Sequence, residues 1–172
     1  MSKKIMKIIP LIFLTIFLSN ITAVAEDKGW EEFDAGLAKS AKESKPVLID
    51  FYTDWCHWCK VMDEKTFEND EVKTYLDKYF VKIKVNAEER RDKQTYEGKT
   101  YNSVKLARTF GVTGYPALAF LDKNQKLITL VPGFLPPEKF INVLKYMKDE
   151  CYTKDVSFED FMKNGCKETS AK

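Results

Sequence analysis

Histidine is nearly absent from this sequence, which contains a single one, His57, among 172 residues. A closed zinc site needs four ligands, and the four cysteines of the chain fall into two pairs far apart in sequence. Covalent haem attachment requires a histidine directly after the second cysteine of a pair, where Cys59 is followed by Lys60. We therefore expect neither a metal nor any other cofactor.

The sequence also lacks an excess of charge, an internal repeat and a Gly/Ser-rich linker. It has 28 basic and 26 acidic residues, and residues 1–25 contain three of the lysines and no acid. The remaining chain is thus close to neutral, which gives no indication of nucleic acid or an anionic membrane as a partner. A chain of this length without a linker is expected to form one principal folded domain. We expect the protein to act as a monomer.

Residues 1–25 have the pattern of a signal peptide. Lysines open the segment, a mostly apolar stretch runs from Ile8 to Ile21, and Ala23-Val24-Ala25 has the small-x-small pattern of a cleavage site. The apolar stretch is shorter than the ~20 residues of a membrane-spanning helix. We expect cleavage after Ala25 and export to the periplasm or a comparable compartment, with an uncleaved anchor as the alternative.

Hydrophobic periodicity predicts alternating helices and strands in the rest of the chain. Helices are predicted around residues 30–41, 60–67, 70–79, 106–110 and from Pro137 onward, and strands at 47–52, 81–85, 117–121 and 127–131. The last two strands flank a polar turn at 122–125 and indicate a hairpin. This order is typical of an α/β protein with a mixed central sheet and helices on both faces.

Cys56 and Cys59 are separated by two residues and follow directly on the strand at 47–52. Where a strand leads into a helix, the helix N-terminus favours negative charge and lowers the pKa of the first thiol. We expect Cys56 to be exposed and Cys59 to be more buried. A thiolate beside a second thiol is the arrangement that reversible disulfide exchange requires. A purely structural disulfide and a metal site are the weaker alternatives.

The segment from Asp50 to Lys60, DFYTDWCHWCK, resembles the active-site stretch of the thioredoxin superfamily. FGVTGYPA at 110–117 resembles the segment that holds the cis-proline of this superfamily, and Gly133 matches a glycine late in the domain. The resemblance implies a thioredoxin fold for a domain at 26–148, followed by a short helical extension at 149–172. The Cys-His-Trp-Cys sequence is similar to a branch of exported thioredoxin-like thiol-disulfide reductases.

The resemblance implies catalytic roles for three residues. Cys56 would attack a client disulfide, Cys59 would resolve the mixed disulfide, and a buried Asp50 would accept the Cys59 proton through a water molecule. A compatible interpretation of Asp50 is an ion pair with Lys84.

Client binding is expected at five further residues: Trp55, His57, Trp58, Tyr115 and Pro116, the last with a cis peptide bond. His57 and Trp58 differ from the Gly-Pro of thioredoxin itself, so the reduction potential does not carry over. A protonated His57 would stabilise the thiolates and make the protein more oxidising; alternatively, it is merely solvated.

The expected function is reduction of disulfides in client proteins, with the dithiol renewed by a membrane thiol-electron donor. The alternatives are an oxidase or isomerase of disulfides, and a client-binding module without turnover.

Two further segments carry open questions. The charged residues 88–99 are interpreted as a solvated loop or a helix extension, or else as a rim of the redox site that selects partners. Cys151 and Cys166 are expected to form a structural disulfide, as extra cysteines of exported proteins usually do. The alternative is a second redox pair that relays electrons to Cys56 and Cys59.

Overall fold

The structure is a computed structural model that describes residues 29–167. The helices are α1 Phe33–Glu43, α2 His57–Met62, α3 Asp70–Tyr79, α4 Ser103–Thr109, α5 Pro137–Lys148 and α6 Phe158–Asn164. The strands are β1 Val47–Tyr52, β2 Val81–Asn86, β3 Gln94–Tyr96, β4 Lys99–Tyr101, β5 Ala117–Leu121 and β6 Leu127–Pro132. A π-helical turn, Asp63–Phe67, extends α2, and a 3₁₀ turn, Cys151–Lys154, precedes α6. The expected signal peptide lies outside the described residues.

The central sheet has the strand order β2-β1-β5-β6. β1 runs parallel to β2, and β5 runs antiparallel to both of its neighbours, β1 and β6. The sheet is therefore mixed, and with helices on both faces it has the thioredoxin fold, so the predicted fold class is confirmed. Within residues 29–167, no helix is long and apolar enough to cross a membrane.

Alternate side chains of β1 point to opposite faces of the sheet. Val47, Ile49 and Phe51 pack with residues of α1 and α4 on one face. Leu48 packs on the other face, in a cluster that includes side chains of α2, α3 and α5. All five residues at 47–51 are buried. The mostly apolar run that predicted a buried strand thus reflects a layer of helices on each side.

Four chain segments meet at one edge of the sheet, the edge at which β1 and β2 end. Because β1 and β2 are parallel, the segments that follow Tyr52 and Asn86 emerge at the same edge. The antiparallel register places Ala117, the first residue of β5, opposite Phe51, and Pro132, the last residue of β6, opposite Ala117. The cysteine motif, the cis-proline segment and the loop after β6 therefore meet at this edge.

Residues 88–93 of the charged insert form an irregular loop, as predicted, whereas residues 94–101 form a β-hairpin that the sequence analysis did not predict. β3 and β4 pair antiparallel around a turn in which Glu97 and Gly98 both have positive φ, the geometry of a type I′ hairpin. Tyr96 is buried against the α1 face and its hydroxyl donates to the Gln125 carbonyl at 3.2 Å. Gln125 lies in the β5–β6 turn, so the hairpin tip lies at the edge opposite the cysteine motif.

The C-terminal extension also lies at that opposite edge. Lys123, which follows β5, pairs with Glu150 at 3.7 Å between charged atoms. The Tyr146 hydroxyl of α5 donates to the Val156 carbonyl at 2.7 Å, and the Tyr146 ring contacts Phe158 and Phe161. The extension is thus anchored by apolar and polar contacts as well as by its cysteines.

Candidate functional site

Cys56 and Cys59 form a disulfide at the junction of β1 and α2. Cys56 is the N-cap of α2, and the Cys59 backbone N–H donates to the Cys56 sulfur at 3.0 Å. This hydrogen bond and the helix N-terminus both favour negative charge on Cys56 once the disulfide is reduced. The local geometry is therefore suited to a Cys56 thiolate.

In the disulfide form neither cysteine is exposed. Cys56 is 4% and Cys59 is 3% accessible, so the expected exposure of Cys56 is not observed in this state. The adjacent residues Trp55 and Trp58 are 68% and 55% exposed. Two exposed aromatic side chains thus flank the buried disulfide in sequence.

Asp50 lies on β1, six residues before Cys56, and is 2% exposed. Its side chain points to the same face as Leu48, because residues two apart on a strand share a face. That face is the one covered by α2, which carries Cys59. The placement is compatible with the predicted role of Asp50 in proton transfer to or from Cys59.

Lys84 occupies the register position beside Asp50 on the neighbouring strand. Its ammonium donates to the Asp63 carboxylate at 2.6 Å and lies over the rings of Trp30 and Tyr52, 5.5 and 5.2 Å from their centroids. The sequence analysis did not single out Asp63 or Trp30. A cation held between an acid and two aromatic rings thus lies next to the buried carboxyl group.

The Tyr115–Pro116 peptide bond is cis, which confirms this prediction. The Pro116 carbonyl accepts a hydrogen bond from the Gly133 N–H at 2.8 Å. Gly133 has φ +84°, a conformation that other residues rarely adopt. This contact joins the segment before β5 to the loop after β6 at the edge of the sheet that carries the disulfide.

Two aromatic pairs are formed by side chains next to the disulfide. The Trp55 ring meets the Tyr115 ring edge to face, with centroids 6.1 Å apart, and Trp58 lies 5.5 Å from Phe134. The His57 ring is exposed and contacts Trp58 at 5.6 Å. All five predicted client-binding residues therefore occur near the disulfide in sequence or in the adjoining cis-proline segment.

Phe134 is a site residue that the sequence analysis missed. Its loop is held by the hydroxyl of buried Thr66, which donates to the Leu135 carbonyl at 2.6 Å. Thr66 lies in the π-helical turn after α2, 69 residues away in sequence. The sequence signal that could have identified Phe134 is the preceding Gly133. Its match to a glycine of the superfamily marks the loop that carries Phe134.

Cys151 and Cys166 form a second disulfide, with Cα atoms 5.3 Å apart. Cys151 is fully buried, whereas Cys166 is partly accessible. This disulfide lies at the sheet edge opposite Cys56. The six residues of β1 separate the two edges, a distance of roughly 20 Å at the usual rise per residue. Direct thiol exchange requires contact between sulfurs, so this separation favours a structural role over the electron-relay alternative.

The mixed sheet, the disulfide at a strand-to-helix junction and the cis-proline loop define the class of the thioredoxin-fold proteins. The sequence profile of the thioredoxin-like domain family matches residues 33–148, and the chain belongs to this family.

Relatives of this chain include human spermatogenesis-associated protein 20, which is 37% identical over 111 residues, 64% of this chain and 13% of that protein. The chain therefore corresponds to a small part of that relative. Disulfide bond reductase DsbH of Chlamydia pneumoniae is 28% identical, over 62% of this chain and 63% of that protein. A solved thioredoxin-fold protein from Helicobacter pylori is 25% identical with a TM-score of 0.56, covering 70% of this chain and 80% of that one.

Proposed function

We propose that this protein is an exported thiol-disulfide oxidoreductase that reduces disulfides of client proteins through Cys56 and Cys59. The observation that carries the proposal is the hydrogen bond from the Cys59 N–H to the Cys56 sulfur at the start of α2. A donor and a helix N-terminus at one sulfur activate that sulfur as the nucleophile. The Chlamydia pneumoniae relative is a disulfide bond reductase, which supports the same direction of electron flow.

The reaction proceeds in two exchanges. The Cys56 thiolate attacks one sulfur of the client disulfide, forms a mixed disulfide and releases the other client sulfur as a thiolate, which takes up a proton. Cys59 then loses its proton and attacks the Cys56 sulfur, which releases the second client thiolate. Two electrons pass from the protein to the client, and the Cys56–Cys59 disulfide remains. One of the two protons that the client thiolates take up is replaced by the Cys59 proton, and the other comes from the solvent, to which Cys56 lost its proton on becoming a thiolate.

Asp50 is proposed to accept the Cys59 proton in the second exchange. A buried carboxyl group is costly unless polar contacts compensate for its lost hydration, and here it lies on the face that carries α2. We expect Asp50→Asn to slow resolution of the mixed disulfide about a hundredfold or more, because the amide cannot take up the proton.

The measurement for Asp50 is stopped-flow kinetics of the two exchanges, followed by tryptophan fluorescence. A matched control is Asp63→Asn, which removes a carboxylate that contacts Lys84 and leaves Asp50 in place. Slower resolution with an unchanged rate of Cys56 alkylation supports proton transfer. Equal slowing by both variants would instead assign Asp50 a general electrostatic role.

Trp55, His57, Trp58, Tyr115 and Pro116 are proposed to bind the client around its target disulfide. Exposed aromatic rings supply apolar contact area at low entropic cost, and the segment before Pro116 offers backbone groups to an extended chain. A membrane thiol-electron donor would renew the dithiol, and the protein would act as a monomer. Export rests on the pattern of residues 1–25, and Cys151–Cys166 is compatible with an oxidising compartment.

Disulfide oxidation is the second candidate function, and the position of His57 at the first residue of α2 favours it. An imidazolium beside the cysteines would stabilise the reduced form.

Equilibration with glutathione buffers distinguishes disulfide reduction from disulfide oxidation. A reduction potential below about −230 mV supports the reductase, and a value near −120 mV supports the oxidase. A binding module without turnover would not accelerate insulin reduction above the rate of dithiothreitol alone.

A further inference from the structure

The segment after β2 reaches the redox edge, although the hairpin that follows it does not. Asn86 ends β2, and its side-chain amide donates to the Asp54 carboxylate at 3.2 Å. The Asn86 side-chain oxygen accepts the Glu88 backbone N–H at 3.0 Å. The Ala87 N–H also donates to the Tyr52 carbonyl at 2.8 Å. These three bonds fix the start of the insert against the residues that precede Cys56.

The Glu88 carboxylate is close enough to act electrostatically on Tyr115, whose ring meets the Trp55 ring edge to face. Burial raises the pKa of Tyr115, and the carboxylate of Glu88 raises it further, against a smaller opposite effect of Arg108. The Glu88 carboxylate is exposed and makes no ion pair within the part of the chain that the structure describes. By contrast, the Glu89 carboxylate already accepts the N–H groups of Arg90 and Arg91.

Asp54, Trp55, Glu88 and Tyr115 together form an acidic–aromatic rim on one side of the disulfide. An exposed indole and a phenol ring attract a cation to their faces, and nearby carboxylates attract it in addition. A client whose cysteine reacts at Cys56 must pass residues of its chain beside Trp55, the immediate neighbour of Cys56. The charge of the rim is complementary to a positively charged side chain on that client.

We propose that the acidic–aromatic rim selects clients that carry a lysine or arginine next to the disulfide that Cys56 attacks. This inference rests on the proposed function, because it concerns the substrate of the same exchange. The rim raises the rate of encounter and holds the cationic residue while the mixed disulfide forms. In that step the Cys56–client sulfur bond forms, and the bond between the two client sulfurs breaks.

The test uses two synthetic peptides, each with an internal disulfide, that differ only in a lysine or an Nε-acetyl-lysine beside the cysteine. Their rates of reduction by the reduced protein are divided by their rates with dithiothreitol, which removes the intrinsic effect of the charge on each disulfide. We expect the lysine peptide to react about three- to tenfold faster at low ionic strength. The ratio should shrink in about 1 M salt, where charges are screened within a few ångströms.

Glu88→Gln should bring the ratio of the two rates towards one. Glu97→Gln is the matched control, because Glu97 pairs with Lys126 at the tip of the hairpin, far from the disulfide. It removes the same charge and should leave the ratio as in the original chain. A ratio near one in the original chain, or a ratio that Glu88→Gln leaves unchanged, overturns the proposal.

Binding to the oxidised protein separates this proposal from the proposed function. Versions of the two peptides with serine in place of cysteine are titrated while the fluorescence of the exposed tryptophans is recorded. Tighter, Glu88-dependent binding of the lysine peptide supports the rim even if neither disulfide peptide is reduced, an outcome that would overturn the reductase assignment alone. Equal binding of both peptides together with equal reduction rates overturns the rim and leaves the reductase assignment standing.

Discussion

Replacing Cys56 with serine is expected to lower insulin reduction to the rate of dithiothreitol alone. The loss should amount to about a thousandfold or more in the protein-catalysed rate, because a serine hydroxyl is a far weaker nucleophile than a thiolate at neutral pH. The Cys59 N–H that contacts the Cys56 sulfur cannot compensate for the missing thiol. The measurement is insulin turbidity with the reagent rate subtracted.

The control for this experiment is the double variant Cys151→Ala/Cys166→Ala. It removes the other pair of cysteines and should keep most of the activity, since that disulfide lies at the opposite edge of the sheet. Activity retained by Cys56→Ser, or lost in the double variant at a temperature well below its Tm, would place the reactive thiol elsewhere.

The same double variant is expected to show the largest change in stability. Closing a loop with a sequence separation of 15 contributes about 3 kcal/mol in the chain-entropy model. For a domain of this size, that free energy corresponds to a decrease in Tm of roughly 10 °C. Calorimetry of the oxidised protein and of the double variant measures the change.

The second disulfide should also remain closed while Cys56–Cys59 is opened by mild thiol. Opening of Cys56–Cys59 is favoured because the Cys59 N–H and the start of α2 stabilise the Cys56 thiolate that forms. In the second disulfide only Cys166 is accessible, and attack on it would release Cys151 as a thiolate in a fully buried position. Burial disfavours that charge and makes Cys151 a poor leaving group. Mass spectrometry of alkylated protein follows both disulfides. Equal rates of opening, or a Tm that changes by less than about 2 °C in the double variant, would contradict a structural role.

The sequence predicted those elements best whose signals are local. The strand at 47–52 and the helix at 70–79 have the predicted bounds, because a buried apolar run specifies the one and a capping Asn69 begins the other. Asn69 accepts the N–H groups of Glu71 and Val72, the contact that such a cap is expected to make.

The hairpin at 94–101 was missed because the surrounding charges obscured its strand pattern. Thr95, Tyr96, Thr100 and Tyr101 are typical strand residues, and the Glu97-Gly98 pair between them is a turn signal of the kind that type I′ hairpins use. The pairing became visible only with Tyr96 packed against Phe33 and Phe110, contacts between separate parts of the chain.

The residues of the candidate site also fall into two groups: those that a local motif identifies and those that only the folded structure brings to the site. Cys56, Cys59 and Pro116 belong to short motifs, so the sequence alone identifies them. Phe134 and Asp63 join the site through contacts that a sequence does not display. Phe134 meets Trp58 only because the loop after β6 returns to the same sheet edge, and Asp63 meets Lys84 across the start of the π-helical turn.

The most direct test of the proposed reaction is to trap its intermediate with a Cys59→Ala variant. Without the resolving thiol, the reduced variant should form a mixed disulfide with insulin or a disulfide peptide that persists until a reductant is added. Peptide mapping by mass spectrometry identifies the linked cysteine. The account predicts that the client sulfur is bonded to Cys56; an adduct at Cys151 or Cys166, or no adduct with any disulfide substrate, would contradict it.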